Sequence, residues 1–171
     1  MGTKPAVRVL AAVVMAVFVG FACLSSAADT AAESEIVKAL GQVKLFAGLT
    51  DAEKTVLQSA ATVRQGTEGE RIIEQGKTLD HMWIVLEGQA EVRVNGKVVA
   101  TLPAQSLIGE MEFLGAFPAA ANVYVLKNTR LIELNNAALT KLMEEHPRLG
   151  YVLMSEFARI EARRLRAMDL K

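Results

Sequence analysis

The dipeptide Asn95-Gly96 lies between Glu91-Val92-Arg93-Val94 and Lys97-Val98-Val99-Ala100, and it constrains this chain more tightly than any other feature. Asn and Gly both tolerate positive φ, which a two-residue hairpin turn needs if its twist is to match the strands it joins. The spacing therefore predicts an antiparallel hairpin. Neighbouring runs follow the same plan: Ile72-Ile73 precede Gly76, and Met82-Trp83-Ile84-Val85-Leu86 precede Gly88. Val123-Tyr124-Val125-Leu126 and Arg130-Leu131-Ile132-Glu133-Leu134, joined through Lys127-Asn128-Thr129, predict a second hairpin. Short strands at close spacing predict a mainly β fold with flanking helices (α+β), a jelly-roll-like β-barrel of about eight strands that leaves few exposed edges.

Helical patterns flank the strands. Ile36, Val37 and Leu40 share one face of a short helix ending near Gly41. Thr50-Asp51-Ala52-Glu53 matches a capping box, with Val56, Leu57, Ala60 and Ala61 as the buried stripe that follows. Asn135 or Asn136 is placed to cap a helix running to about Glu145, and His146-Pro147 breaks it and starts another. On that last helix, Leu149, Val152, Leu153, Phe157 and Ile160 form one apolar face, to be used as core or as a homodimer seam. Arg163, Arg164 and Arg166 suit the negative end of its dipole.

The N-terminal segment reads differently. Lys4 and Arg8 precede or open an almost wholly apolar run from Val7 to Leu24, followed by Ser25-Ser26-Ala27-Ala28. That pattern predicts a signal peptide over residues 1–27, cleaved after Ala27 or Ala28, with an uncleaved anchor as the alternative. Positive charge ahead of the run exports the domain in either case, to the periplasm or outside the cell, or to the outer face of the inner membrane if anchored. Membrane contact is expected only in the anchored case. Residues 28–35 read as a linker and 36–168 as the domain. Cys23, the lone cysteine, lies inside the apolar run, so no disulfide framework is available. Losing Lys4 and Arg8 from 19 basic residues leaves 17 against 19 acidic ones, a balance that argues against a nucleic-acid partner.

The stretch Ile108-Gly109-Glu110-Met111-Glu112-Phe113-Leu114, continuing to Pro118-Ala119-Ala120-Ala121-Asn122-Val123, resembles the phosphate-binding cassette of cyclic-nucleotide-binding domains, the catabolite-activator-like β-barrel family. The resemblance extends to Leu45-Phe46, to Gly69-Glu70-Arg71-Ile72-Ile73-Glu74-Gln75-Gly76 and to Asp80-His81-Met82-Trp83-Ile84-Val85-Leu86-Glu87-Gly88, covering about Leu45 to Leu165. It implies that Gly109 opens a short helix and that Glu110 would hydrogen-bond a ribose 2′-hydroxyl. It further implies that the backbone amides of Glu110, Met111, Ala119 and Ala120 would face a cyclic phosphate, a helix start being a ready anion site. The family usually places an arginine after the proline, where this chain has Ala119. A charge-assisted contact is typically worth ~1.5–3 kcal/mol, so its absence predicts binding weakened on the order of ten- to a hundredfold. Glu112 adds a second carboxylate where relatives carry a small residue; its effect depends on whether it points inward.

The expected function is thus an exported stand-alone module of this family, a sensory or protein-interaction domain with weak or lost cyclic-nucleotide binding and an unknown protein partner. The alternative is a genuine receptor for a cyclic nucleotide or another anionic ligand, with no other cofactor. An enzyme is not expected: His81 and His146 are the only histidines, and no nucleophile–base set or metal-ligand cluster can be assembled.

Overall fold

In the computed structural model, which describes residues 35–115 and 117–169, Asn95 and Gly96 adopt φ of 49° and 78° and join two strands in tight antiparallel register. Eight strands are present: β1 (Ala61–Gln65), β2 (Arg71–Ile73), β3 (His81–Glu87), β4 (Gln89–Val94), β5 (Lys97–Pro103), β6 (Leu107–Ile108), β7 (Asn122–Val125) and β8 (Arg130–Asn135). They form two four-stranded antiparallel sheets, ordered β1-β8-β3-β6 and β2-β7-β4-β5. The described helices are α1 over residues 35–42, α2 (Asp51–Leu57), α3 (Glu110–Gly115), α4 (Asn136–Glu145) and α5 (Pro147–Asp169). The expected signal peptide lies outside the described residues, as does the linker apart from Glu35, which opens α1. Among the described residues, no helix is long and apolar enough to cross a membrane.

The core follows from the two-residue period of β3. Met82, Ile84 and Leu86 point to one side and join Leu40, Phe46, Leu57, Leu149, Leu153 and Phe157 beneath the helices. Trp83 and Val85 point to the other side and join Ile73, Ile108, Ala119, Val123 and Val125 between the sheets. The first sheet is thus covered on both faces, which is why β3 reads as a continuous apolar run rather than an alternating one. The α5 stripe belongs to this core: Leu149, Leu153 and Phe157 are fully buried, and Val152 and Ile160 pack against them.

Two expectations need correction. The helix after Thr50 ends at Leu57, tightens to a 3-10 turn over Gln58–Ala60, and Ala61 already opens β1, so Ala60 and Ala61 are not on an α-helical stripe. Strand β1 and the two-residue β6 are additions to the sequence reading. Strands β7 and β8 are not a hairpin, because β7 pairs with β2 and β4 while β8 pairs with β1 and β3. The connection crosses between sheets because Thr129, fully buried, is held there. Its Oγ1 lies 2.8 Å from the carbonyls of Gln89 and Leu126, and its own carbonyl accepts from Gly66 at 2.8 Å.

The capping box forms as expected: Glu53 N donates to Thr50 Oγ1 at 3.3 Å, and Thr50 N donates to Glu53 Oε2 at 2.8 Å. Arg148 of α5 also donates to Glu53, tying α5 to α2. That guanidinium, with the Thr50 amide, lowers the Glu53 carboxyl from 4.5 to about 2. A depressed folded-state pKa means the stabilisation is fully present above about pH 4.5 and lost as pH falls toward 2. Urea unfolding across that window is expected to show a shallower acid limb for Glu53→Gln than for the native chain; parallel limbs would contradict the assignment.

Candidate functional site

Strand β6 carries the chain to the site. Its pairing of Ile108 with Trp83 and Leu107 with Ile84 delivers Gly109 to the rim of the barrel. Gly109 has φ of 87°, and a Cβ there would come within 3.2 Å of Leu79 Cδ1, so the turn into α3 requires glycine. Phe113 N donates back to the Gly109 carbonyl at 3.2 Å as α3 begins. The ring of Phe113 meets Phe157 edge-on, centroids 6.2 Å apart, which fastens the cassette helix to α5.

Beneath α3 lies a cavity of about 240 Å³. Ile73, Val92, Leu102, Ile108 and Val123 give it an apolar wall, and Gly109, Glu110, Met111, Glu112, Ala120 and Arg164 contribute its polar and cassette side. Four of the five residues marked by the cassette resemblance therefore meet at one cavity: Gly109, Glu110, Met111 and Ala120. Ala119 departs from the expectation. It is 3% exposed within the inter-sheet core, and its amide donates to the Lys77 carbonyl at 2.8 Å while its carbonyl accepts from Gly76. Strand-like pairing with the Gly76–Lys77 segment has taken the amide that was expected to face a phosphate.

The two carboxylates have different fates. Glu110, 2% exposed, accepts through Oε1 from Arg164 Nη1, and its Oε2 is buried without a hydrogen-bond partner among the described residues. Glu112 turns back across the cassette, and its Oε1 accepts from Ala120 N at 3.4 Å. This is a long contact, yet it places a carboxylate of the chain itself at the amide expected to receive an anion.

Arg164 is the residue sequence reasoning missed. From α5 it also donates to the Leu107 carbonyl at 2.8 Å and to Glu161 at 2.9 Å. Burial pulls the Arg164 guanidinium below its usual range and pushes the Glu161 carboxyl up, the usual sign of charges taken from water. The available signal was the cluster of arginines near the end of α5 together with a carboxylate at the start of α3 that burial would oblige to find a cation. Arg93 and Arg130 do not supply one. Arg93 pairs with Glu91 and lies 4.7 Å over the Tyr124 ring, and Arg130 pairs with Glu87 at 2.8 Å. Among the described residues, no three potential ligands converge as a metal site would require.

Fold and site together define a binding barrel with one cassette helix over its cavity. Residues 63–146 match the family model of the cyclic nucleotide-binding domain, and the barrel of this chain belongs to that family, which is one of binding and regulation rather than catalysis. Over 115 residues it is 31% identical to the cAMP-dependent protein kinase regulatory subunit of Mycosarcoma maydis, spanning 62% of this chain and 22% of that protein. Over 131 residues it is 30% identical to a Pycsar effector protein of Xanthomonas perforans, spanning 75% of this chain and 43% of that protein. The structure of the Thermus thermophilus Catabolite Activator Protein superposes with a TM-score of 0.61 at 27% identity, over 74% of this chain and 60% of that one. The chain thus spans less than half the length of both curated relatives.

Proposed function

We propose that this chain is an exported, non-catalytic regulatory module of the cyclic nucleotide-binding family that acts through protein contacts and binds cyclic nucleotides weakly or not at all. The observation that carries this reading is Ala119: a small, buried residue with its amide bonded to Lys77 stands where the family pattern has an arginine. Glu112 supports it, since an incoming phosphate would meet a carboxylate already on the Ala120 amide. At ~4 Å, two unit charges of like sign repel by roughly 1–4 kcal/mol, depending on screening. The barrel around the cassette is otherwise complete, so the loss is confined to ligand chemistry rather than shared with the fold.

Export rests on Lys4, Arg8, the apolar run to Leu24 and the small residues behind it. Protein contacts, including a homodimer through α5, would use that helix's outer face, where Tyr151, Met154, Leu165 and Met168 are exposed. Calorimetric titration with cyclic AMP and cyclic GMP tests the binding claim. Silence to millimolar ligand supports it, and a micromolar Kd contradicts it. Fractionation of the native cell tests export; recovery in the cytosol contradicts it.

A further inference from the structure

Away from the cassette, a second cavity of about 300 Å³ lies between α5, a 3-10 turn over Lys44–Phe46 and the loop joining β5 to β6. Leu45, Ile84 and Ile160 line it with hydrocarbon, and Lys44, Gln105, Glu156 and Arg163 supply its polar groups. These groups are not equally free. Gln105 is committed at both ends of its amide: Oε1 accepts from Lys44 N at 2.9 Å, and Nε2 donates to the Gln42 carbonyl at 3.3 Å. It is a fixed wall, and the first of those bonds anchors the backbone from which the Lys44 side chain springs. Glu156 accepts from Arg159 on its own helix. The Lys44 ammonium and the Arg163 guanidinium make no hydrogen bond or ion pair among the described residues.

The uncommitted groups of this cavity are thus both cations, set beside hydrocarbon. We propose that it binds a small anionic amphiphile: a carboxylate head paired with Lys44 and Arg163, and a short hydrocarbon tail against Leu45, Ile84 and Ile160. Head and tail are both needed. Lys44 and Arg163 are exposed, and an ion pair in water holds little by itself. Burial of the tail supplies the remainder, in proportion to the apolar surface it takes from water. The tail is short because about 300 Å³ is the lower end of the ~300–1,000 Å³ range of small-molecule sites. The site is independent of the cassette: Ile73 and Val123 line the cavity under α3 and not this one.

Octanoate, octanol, octylamine and acetate separate head from tail when each is titrated into the full chain. The methyl resonances of Leu45, Ile84 and Ile160 report this cavity, and those of Ile73 and Val123 serve as the control. Octanoate is expected to move the first set in a saturable way and to leave the control in place. Its affinity should exceed that of octanol, octylammonium and acetate by about tenfold, the size that paired cations or a buried tail support. Lys44→Gln combined with Arg163→Gln, both at exposed positions, should bring octanoate down to the level of octanol. Octanol, octylamine or acetate matching octanoate overturns the proposal, as does undiminished octanoate binding in the double variant. So does octanoate that shifts only the control methyls or none at all. Silence to octanoate with sedimentation on phosphatidylglycerol vesicles overturns it too, assigning the two cations to a membrane surface rather than to a free carboxylate.

Discussion

Ala119→Arg combined with Glu112→Ala is expected to raise affinity for cyclic AMP on the order of a hundredfold or more over the native chain. The guanidinium would supply the charge-assisted contact that Ala119 cannot, and truncating Glu112 removes the carboxylate that holds the Ala120 amide. Neither change alone should reach that gain. With Glu112 present, an arginine at 119 has a carboxylate close by to pair with instead of a phosphate. With Glu112 removed but Ala119 retained, the amide is released and no cation is added. Glu112 accepts from the amide of Ala120, the neighbour of Ala119, so the two changes are close enough to couple and should exceed the sum of the single changes. Ala119 is buried, so thermal unfolding of each variant accompanies the titrations. A folded double variant that binds no better than the native chain would contradict the assignment of these two residues. Glu112→Ala alone, which leaves the core untouched, should still improve binding by roughly fivefold or more.

Phe157→Ala is expected to cost about 3–5 kcal/mol of folding stability, the range for removing a large ring from a filled core. Phe157 is fully buried, sits with Leu149 and Leu153 against the first sheet, and meets Phe113 edge-on. It therefore anchors α5 and braces α3 at once. Urea unfolding should show the loss, and hydrogen exchange should show α3 amides losing protection along with those of α5. Leu165→Ala on the same helix is the control: its side chain is 58% exposed, and its change should stay within about 0.5 kcal/mol. A loss below about 1 kcal/mol for Phe157→Ala would mean that α5 is not built into the core as described.

Legibility in the sequence tracked how local the cause was. The β4–β5 hairpin was readable because Asn95 and Gly96 themselves supply the positive φ that the turn needs. The capping box and the Asn135 cap were readable for the same reason, each being a side chain bonded to an amide three residues away. The crossing from β7 to β8 was not, since a short loop between two apolar runs has the same pattern whether it turns back or changes sheet. What decides is Thr129 reaching Gln89, 40 residues distant. Strand β1 escaped because Ala61-Thr62-Val63-Arg64-Gln65 has little apolar alternation and is a strand by virtue of pairing with β8.

The site divides the same way. Gly109 and Glu110 were marked by a short, contiguous pattern, and both lie at the cavity. The engagement of the Ala119 amide by Lys77, and the arrival of Arg164 at Glu110 from 54 residues away, are tertiary facts with no local trace. The direction of Glu112 belongs with them: its spacing places it beside Glu110, and only the fold returns it to the Ala120 amide.

The central claim is that the cassette is intact as a fold element but is closed to a cyclic phosphate. Amide resonances of Gly109 to Glu112 and of Ala119 to Ala121, recorded while cyclic AMP is added to millimolar concentration, test it most directly. The account predicts that these resonances stay in place through the titration. Saturable shifts at micromolar cyclic AMP, strongest at Glu110 and Ala120 and abolished by Glu110→Ala, would contradict it.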